Sequence, residues 1–150
     1  MKYYLAYGSN LNKNQMAFRC PDAVPVGVSR IPNYQLAFRR GFLTIEPKKG
    51  SSVPVGVWAI SDEDEKHLDR YEGCPRFYRK ESMLLNIRKS QGDDTEDNYQ
   101  DALVYIMNDG FRIEEPSLAY MRTCSQGYKD FGLNAAPLMR AYRKVKGGDA

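Results

Sequence analysis

Four β-type segments follow one another between residues 23 and 60, and this stretch constrains the fold more than any other part of the sequence. Apolar and β-branched side chains recur at residues 24–31, 34–39, 43–46 and 53–60, and turn-forming residues separate them at 32–33, 41 and 49–52. This spacing predicts successive antiparallel strands joined by short turns. A fold of strictly alternating strands and helices is therefore disfavoured.

The segments on either side of this stretch predict more strands and several helices. Strands are predicted at residues 1–7, 77–88 and 102–108, and helices at 13–19, 62–72, 117–126 and 133–145. Gly127 is expected to end the third helix, and Tyr71 to belong to the packed face of the second. The polar residues 90–100 predict a mobile loop, and the tail from about residue 146 a frayed end. Together these elements predict an α+β fold with a mostly antiparallel sheet.

The composition of the 150 residues fits a single domain, residues 1–150, with one hydrophobic core. A formal net charge of +3 is far below that of a dedicated nucleic-acid-binding protein. No apolar run approaches the roughly 20 residues that span a bilayer, and no signal-like pattern is present, so we expect a cytoplasmic protein without membrane attachment. Cys20, Cys74 and Cys124 are too widely spaced for a CxxC site, so no structural metal is expected. The oligomeric state stays open.

The segment Tyr7-Gly8-Ser9-Asn10-Leu11, directly after the first strand, is one candidate binding site. Glycine lets a backbone approach a ligand closely, and successive N–H groups of such a loop can bind an anion. A carboxylate would suit this loop. The alternative is an ordinary polar turn between a strand and a helix.

Glu72 is the candidate for acid–base chemistry. It lies at the end of the second predicted helix, where the negative end of the helix dipole disfavours a carboxylate. This field, together with burial against Tyr71 and Tyr78, is expected to raise its pKa toward the range useful in general acid–base catalysis. The alternative is a glutamate in solvent, or one paired with Arg76 or Arg79.

Two other patterns in the sequence are weaker evidence for a functional site. His67 is the only histidine, and no serine or cysteine motif lies near it, so a nucleophile triad is rejected. Residues 76–80 alternate basic and aromatic side chains, as RNA-binding strands do, but an ordinary sheet strand shows the same pattern. The small net charge also disfavours a nucleic-acid partner.

Several short segments occur together in an order that resembles one known family. They are residues 7–11 followed by 19–21, residues 69–73 with Tyr78, the strand at Val104-Tyr105, and residues 116–120 and 127–133. With these segments the chain, from Tyr3 to Tyr142, resembles the gamma-glutamylcyclotransferase-like family.

This resemblance implies a small fold in which a mixed, mostly antiparallel sheet curls into a partial barrel with flanking helices. It also implies that the opening loop and the acidic segment meet at one pocket. Glu72 would be the catalytic acid and base, and no cofactor would be needed. The substrate-binding residues would be Tyr7, Gly8, Ser9, Asn10, Leu11, Tyr78, Tyr105 and Tyr128.

The reaction implied by the resemblance is intramolecular. The α-amino group of a small gamma-glutamyl substrate attacks its own γ-carbonyl, so that 5-oxoproline and an amine are released. Asn10 stands where the glutathione-specific branch has leucine, which makes glutathione a less favoured substrate. The alternative is a non-catalytic module of the same fold that binds a small carboxylate or amine.

Overall fold

A computed structural model describes residues 1–90 and 96–147, and within them six strands and four α-helices are present. The strands are β1 (Lys2–Ala6), β2 (Val24–Arg39), β3 (Phe42–Ile60), β4 (Tyr78–Asn86), β5 (Arg88–Lys89) and β6 (Tyr99–Met107). The helices are α1 (Lys13–Arg19), α2 (Asp62–Tyr71), α3 (Leu118–Asp130) and α4 (Ala136–Lys146). A 3-10 turn, Ser9–Leu11, joins β1 to α1.

The strands form one mixed sheet in the order β4-β6-β1-β3-β2-β5, and the sheet curls into a half-barrel. Neighbouring strands are antiparallel except β1 and β6, which are parallel and pair Tyr4 with Leu103. The predicted α+β class and mostly antiparallel sheet are therefore confirmed. Because β1 is an interior strand of the sheet, the loop that follows it lies at the end of a central strand and not beside an edge strand.

The four predicted strands between residues 23 and 60 are wrong in one respect, since they form only two long strands. β2 and β3 make a hairpin whose turn is Arg40-Gly41, with φ of 53° and 81°, as a two-residue turn with a left-handed backbone requires. The predicted break at Pro32-Asn33 is a shift in strand register, with φ of 62° at Asn33. A bulge tolerates proline, because proline has no N–H to give to the ladder.

Helix α3 does not end at Gly127, contrary to the sequence prediction. It continues to Asp130, and Gly127 is buried inside it. A Cβ atom at Gly127 would lie 2.6 Å from the Leu11 Cβ and 2.7 Å from the Asn12 nitrogen. The glycine is therefore explained by the close packing of α3 against the loop after β1, and not by a helix end.

Helix α2 begins at a capping box and ends beside the sheet. The Ser61 Oγ accepts the Asp64 N–H at 3.1 Å, and the Asp64 carboxylate accepts the Ser61 N–H at 3.2 Å. Tyr71, expected on the packed face, is 44% exposed. Glu72 follows as the C-terminal cap, and its N–H donates to the Leu68 carbonyl at 2.8 Å.

The remaining predictions concern the limits of helix α4, residues 90–100 and the C-terminal tail. Helix α4 begins at Ala136 rather than at residue 133, and it extends through Lys146. Of the predicted mobile loop, residues 91–95 lie outside the described residues, and residues 99 and 100 belong to β6. Residues 148–150 of the tail also lie outside them. Among the helices of the described residues, none is long and apolar enough to cross a membrane.

Candidate active site

A cavity of about 150 Å³ opens at the end of β1, and tyrosine rings form much of its wall. Among the described residues, six of the eleven tyrosines line it: Tyr4, Tyr7, Tyr71, Tyr78, Tyr105 and Tyr120. They come from β1 and the residue after it, from α2, β4, β6 and α3, so the cavity forms only when these elements pack together. Each ring supplies apolar surface and one hydroxyl group, which suits a small ligand with polar ends.

The loop after β1 forms one side of the cavity with Gly8, Ser9 and Asn10. Its 3-10 turn uses the N–H groups of Leu11 and Asn12, which donate to the carbonyls of Gly8 and Ser9 at 3.1 and 3.0 Å. Within residues 1–90 and 96–147, the N–H groups of Ser9 and Asn10 donate to no acceptor. Two backbone donors at a cavity wall suit an anionic oxygen.

A side chain at Gly8 would meet the wall of the cavity. The backbone of this residue has φ of −130° and ψ of −130°. A Cβ atom at this position would lie 3.3 Å from the Tyr120 Oη and 3.5 Å from the Leu43 Cβ. A larger side chain would therefore enter the cavity or push its wall outward.

Asn10 is buried, and each polar group of its side chain has a partner. Its Nδ2 donates to the Tyr4 Oη at 2.9 Å and to the Glu72 Oε1 at 3.3 Å. Its Oδ1 accepts the Arg19 guanidinium at 2.6 Å, and its backbone carbonyl accepts the Trp58 indole N–H at 2.9 Å. These contacts hold the loop and the end of α2 in one fixed arrangement.

The carboxyl group of Glu72 lies on the cavity wall, beside Asn10 of the loop. Burial raises its pKa from 4.5 to about 7, and the nearby Arg19 guanidinium opposes this rise only in part. The Arg19 guanidinium also stacks on the Tyr71 ring, 3.5 Å from the ring centre. At neutral pH the protonated and ionised forms of Glu72 are therefore both well populated, as a group that takes up and returns a proton requires.

The hydroxyl groups of three wall tyrosines already donate to protein acceptors. Tyr7 donates to the Tyr105 carbonyl at 2.6 Å, Tyr78 to the Leu43 carbonyl at 2.7 Å, and Tyr105 to the Asp69 carboxylate at 2.5 Å. Burial raises the pKa values of Tyr78 and Tyr105 well above the usual range, so both stay protonated. These side chains present ring surface and oxygen lone pairs to a ligand, rather than protons.

A family model described as gamma-glutamyl cyclotransferase, AIG2-like, matches residues 4–126. The match contains the loop, Glu72 and all six tyrosines of the cavity wall. The chain belongs to this family. The resemblance noted in the sequence is thereby confirmed.

Curated relatives of this gamma-glutamyl cyclotransferase family member include proteins named gamma-glutamylcyclotransferase from Bos taurus and Mus musculus. They are 26% and 27% identical to the chain over 141 residues, which cover 87% of the chain and 71% of each relative. A solved structure of a gamma-glutamyl cyclotransferase is also similar. It has a TM-score of 0.77 at 24% identity, and the match covers 97% of this chain and 86% of the other. At that identity the structural likeness establishes the fold alone.

Most of the site residues expected from the sequence meet at the cavity of this family member. Tyr7, the three loop residues, Glu72, Tyr78 and Tyr105 all line it. Leu11 and Tyr128 do not line it. Leu11 is fully buried at the end of the loop, while the Tyr128 hydroxyl donates to the Tyr7 carbonyl at 2.9 Å and so supports the wall.

Sequence reasoning missed several residues of the site. They are Tyr4, Phe42, Leu43, Phe77 and Tyr120 on the wall, and Arg19 behind Asn10. Tyr4 had a local signal, since it lies in the strand that leads directly into the candidate loop. Phe42 had no such signal and Tyr120 only its place in a segment of the resemblance, because the packing of the β2–β3 turn and of α3 brings them to the cavity.

Proposed function

We propose that this family member releases 5-oxoproline and a free amine from gamma-glutamyl compounds, with Glu72 as the catalytic acid and base and without a cofactor. The observation that carries the proposal is the carboxyl group of Glu72. It lies on the wall of a small cavity, its pKa is raised to about 7 by burial, and Asn10 holds it beside the loop. A carboxyl group in these surroundings suits proton transfer near neutral pH.

The small size of the cavity supports an intramolecular reaction. A volume of about 150 Å³ suits a folded gamma-glutamyl group, in which the α-amino nitrogen lies close to the γ-carbonyl carbon. The nucleophile is then tethered to its target, and effective molarities of roughly 10⁵–10⁸ M apply once the chain is held in the reactive conformation. The site therefore has to position the substrate and move protons, which its residues are suited to do.

The proton transfers balance with Glu72 as the single carrier. The ionised carboxylate accepts a proton from the substrate ammonium, and the freed amine forms a bond to the γ-carbonyl carbon. As the γ-amide C–N bond breaks, Glu72 returns the proton to the departing nitrogen. The attacking nitrogen keeps one of its three protons in the lactam, so a second proton also leaves it. This proton ends on the leaving amine, which departs as an ammonium ion.

The N–H groups of Ser9 and Asn10 would bind an anionic oxygen of the substrate. Two such oxygens are available, the α-carboxylate and the oxyanion that forms on the γ-carbonyl during attack. Since both N–H groups lie on the wall that carries Gly8, either oxygen has to approach this backbone closely.

The test is to incubate the full chain with a panel of gamma-glutamyl dipeptides and gamma-glutamyl amines, and to measure 5-oxoproline by mass spectrometry. We expect 5-oxoproline and the free amine to appear in equal amounts. If calorimetry shows that the protein binds 5-oxoproline while no member of the panel is turned over, the chain is a binding module and the proposed activity is wrong.

A further inference from the structure

The size of the cavity leaves no room for the departing amine of a gamma-glutamyl compound. A cavity of about 150 Å³ accommodates a group about as large as one benzene ring, which the folded glutamyl group already fills. On the function proposed above, the leaving amine therefore lies at the cavity mouth. The side chains at the mouth then determine which amines are accepted.

A cluster of aromatic rings lies at the cavity and is here named the aromatic rim: Phe42, Phe77 and Tyr120, which line the cavity, and Phe111, which packs on Phe77. The ring centres of Phe42 lie 5.2 Å from Tyr120 and 6.0 Å from Phe77, and Phe77 lies 5.1 Å from Phe111, all with edge-to-face geometry. Phe42 is 39% exposed although it lines the cavity, so part of its surface is open to a ligand. The ring of Tyr71, another residue of the cavity wall, is covered by the Arg19 guanidinium.

Arg40 stands beside the aromatic rim, in the turn between β2 and β3. Its guanidinium lies 5.1 Å from the ring centre of Phe77 and 5.7 Å from that of Phe111. In the part of the chain that the structure describes, no carboxylate lies within 4.0 Å of it. Its neighbour Arg39 is paired with Glu46, and Arg79 with Glu81. Arg40 is thus a cation without an acidic partner there, next to open aromatic surface.

We propose that the aromatic rim and Arg40 form a leaving-group subsite for gamma-glutamyl dipeptides whose second residue is aromatic. The ring of that residue packs edge-to-face on Phe42 and Phe77, and its α-carboxylate pairs with the Arg40 guanidinium. An amine without a carboxylate loses the second contact, and a glycine leaving group loses the first. Arg40 and Phe42 are accordingly the residues that determine specificity for the leaving amine.

The experiment compares kcat/KM for three substrates: gamma-glutamyl-phenylalanine, gamma-glutamyl-glycine and gamma-glutamyl-2-phenylethylamide. The third has the ring of the first but no carboxylate. We expect the wild-type protein to prefer the phenylalanine compound over each of the others by about tenfold, the usual effect of one charge-assisted or well-packed contact.

Two variants assign the preference to residues. Arg40→Gln is expected to lower kcat/KM for gamma-glutamyl-phenylalanine about tenfold and to leave the phenylethylamide unchanged. Phe42→Ala is expected to reduce the preference for phenylalanine over glycine, and Phe42→Leu to restore part of it. Arg143→Gln removes one positive charge from the exposed last turn of α4 and serves as the control for net charge.

The outcomes separate this subsite from the underlying activity. Turnover of all three substrates with equal kcat/KM would overturn the subsite alone, and so would an equal loss for both phenyl compounds in Arg40→Gln. If none of the three yields 5-oxoproline, the proposed activity is wrong and the subsite is overturned with it.

Discussion

Glu72 is held at its position by its neighbours in the chain and in space. It caps α2, and Gly73 after it has a φ of 62°, which turns the chain away from the helix axis. Asn10 then fixes the carboxyl group from the loop after β1. Within residues 1–90 and 96–147 no cation pairs directly with the carboxylate, and the nearby Arg19 is engaged with Asn10 and Tyr71. Burial therefore dominates its titration.

Replacement of this carboxyl group tests its catalytic role. Glu72→Gln preserves the shape of the side chain but removes the group that carries the proton, so kcat for 5-oxoproline release is expected to fall by about 10²–10⁴-fold. KM is expected to change little, because the proton is moved in the transition state. Glu63→Gln, at an exposed site in the first turn of α2, is the matched control. Activity of Glu72→Gln within a few-fold of wild type would rule out Glu72 as the acid and base.

The raised pKa of Glu72 also predicts how stability depends on pH. Since this pKa is about 7 in the folded chain against an ordinary value of 4.5, the folded state binds more protons between these two values. The free energy of unfolding therefore falls as pH rises through this window. The full contribution is about 3 kcal/mol, because each pKa unit corresponds to about 1.36 kcal/mol.

Urea unfolding of wild type and Glu72→Gln at about pH 5 and about pH 8 measures this contribution, because the other carboxyl groups cancel in the difference. Relative to wild type, the variant is expected to gain stability as the pH is raised. A difference that stays constant with pH would show that the pKa of Glu72 is not raised.

At the scale of the elements, helix α3 is fixed against the loop after β1 at Gly127. The glycine lets the helix backbone approach Leu11 and Asn12, and one residue later Tyr128 donates its hydroxyl to the Tyr7 carbonyl. A second link joins α2 to the sheet, where the Asp69 carboxylate of α2 accepts the Tyr105 hydroxyl and the Lys80 ammonium. The cavity lies between these two links.

Gly127→Ala tests the close packing of α3. In an isolated helix alanine is more favourable than glycine by about 1 kcal/mol, so a gain in stability is the simple expectation. Here the added methyl group meets Leu11 and Asn12 at 2.6 and 2.7 Å, so we expect a loss of about 1–3 kcal/mol in urea unfolding. Arg122→Ala, at an exposed site of the same helix, is expected to have little effect. Increased stability of Gly127→Ala would contradict the packing of α3 described above.

At the scale of the whole molecule, the cavity depends on segments that are distant in the sequence. Tyr4 and Tyr120 both line the cavity, although 116 positions separate them in the sequence. A ligand that fits this cavity therefore binds the folded chain and not the unfolded one. Binding is linked to global stability for this reason.

Thermal unfolding in the presence of 5-oxoproline measures this linkage. At a ligand concentration of about 100 times Kd, the native state gains about 2.7 kcal/mol, which for a domain of this size raises Tm by about 5–10 °C. Gly8→Val, whose side chain would enter the cavity, is expected to fold but to lose most of the shift. An equal rise in Tm for Gly8→Val and wild type would place the ligand elsewhere on the protein.

The sequence by itself determined the features that depend on neighbouring residues. Alternating apolar side chains indicated the strands, and the end of the second predicted helix marked Glu72 as a carboxyl group in an unfavourable position. The short segments from the loop to residue 133, taken together and in order, also indicated the family. Such signals can be found in a sequence because capping, periodicity and the helix dipole act over a few residues.

Only the tertiary structure decided which distant side chains complete the site. Gly127 resembled a helix end because a glycine required for close packing and one required for a left-handed turn are identical in sequence. Phe42, Tyr120 and Arg19 reach the cavity through the packing of a hairpin turn, a late helix and a short early helix. Their contacts follow from the way apolar faces are buried together, which depends on the whole chain and not on any local pattern.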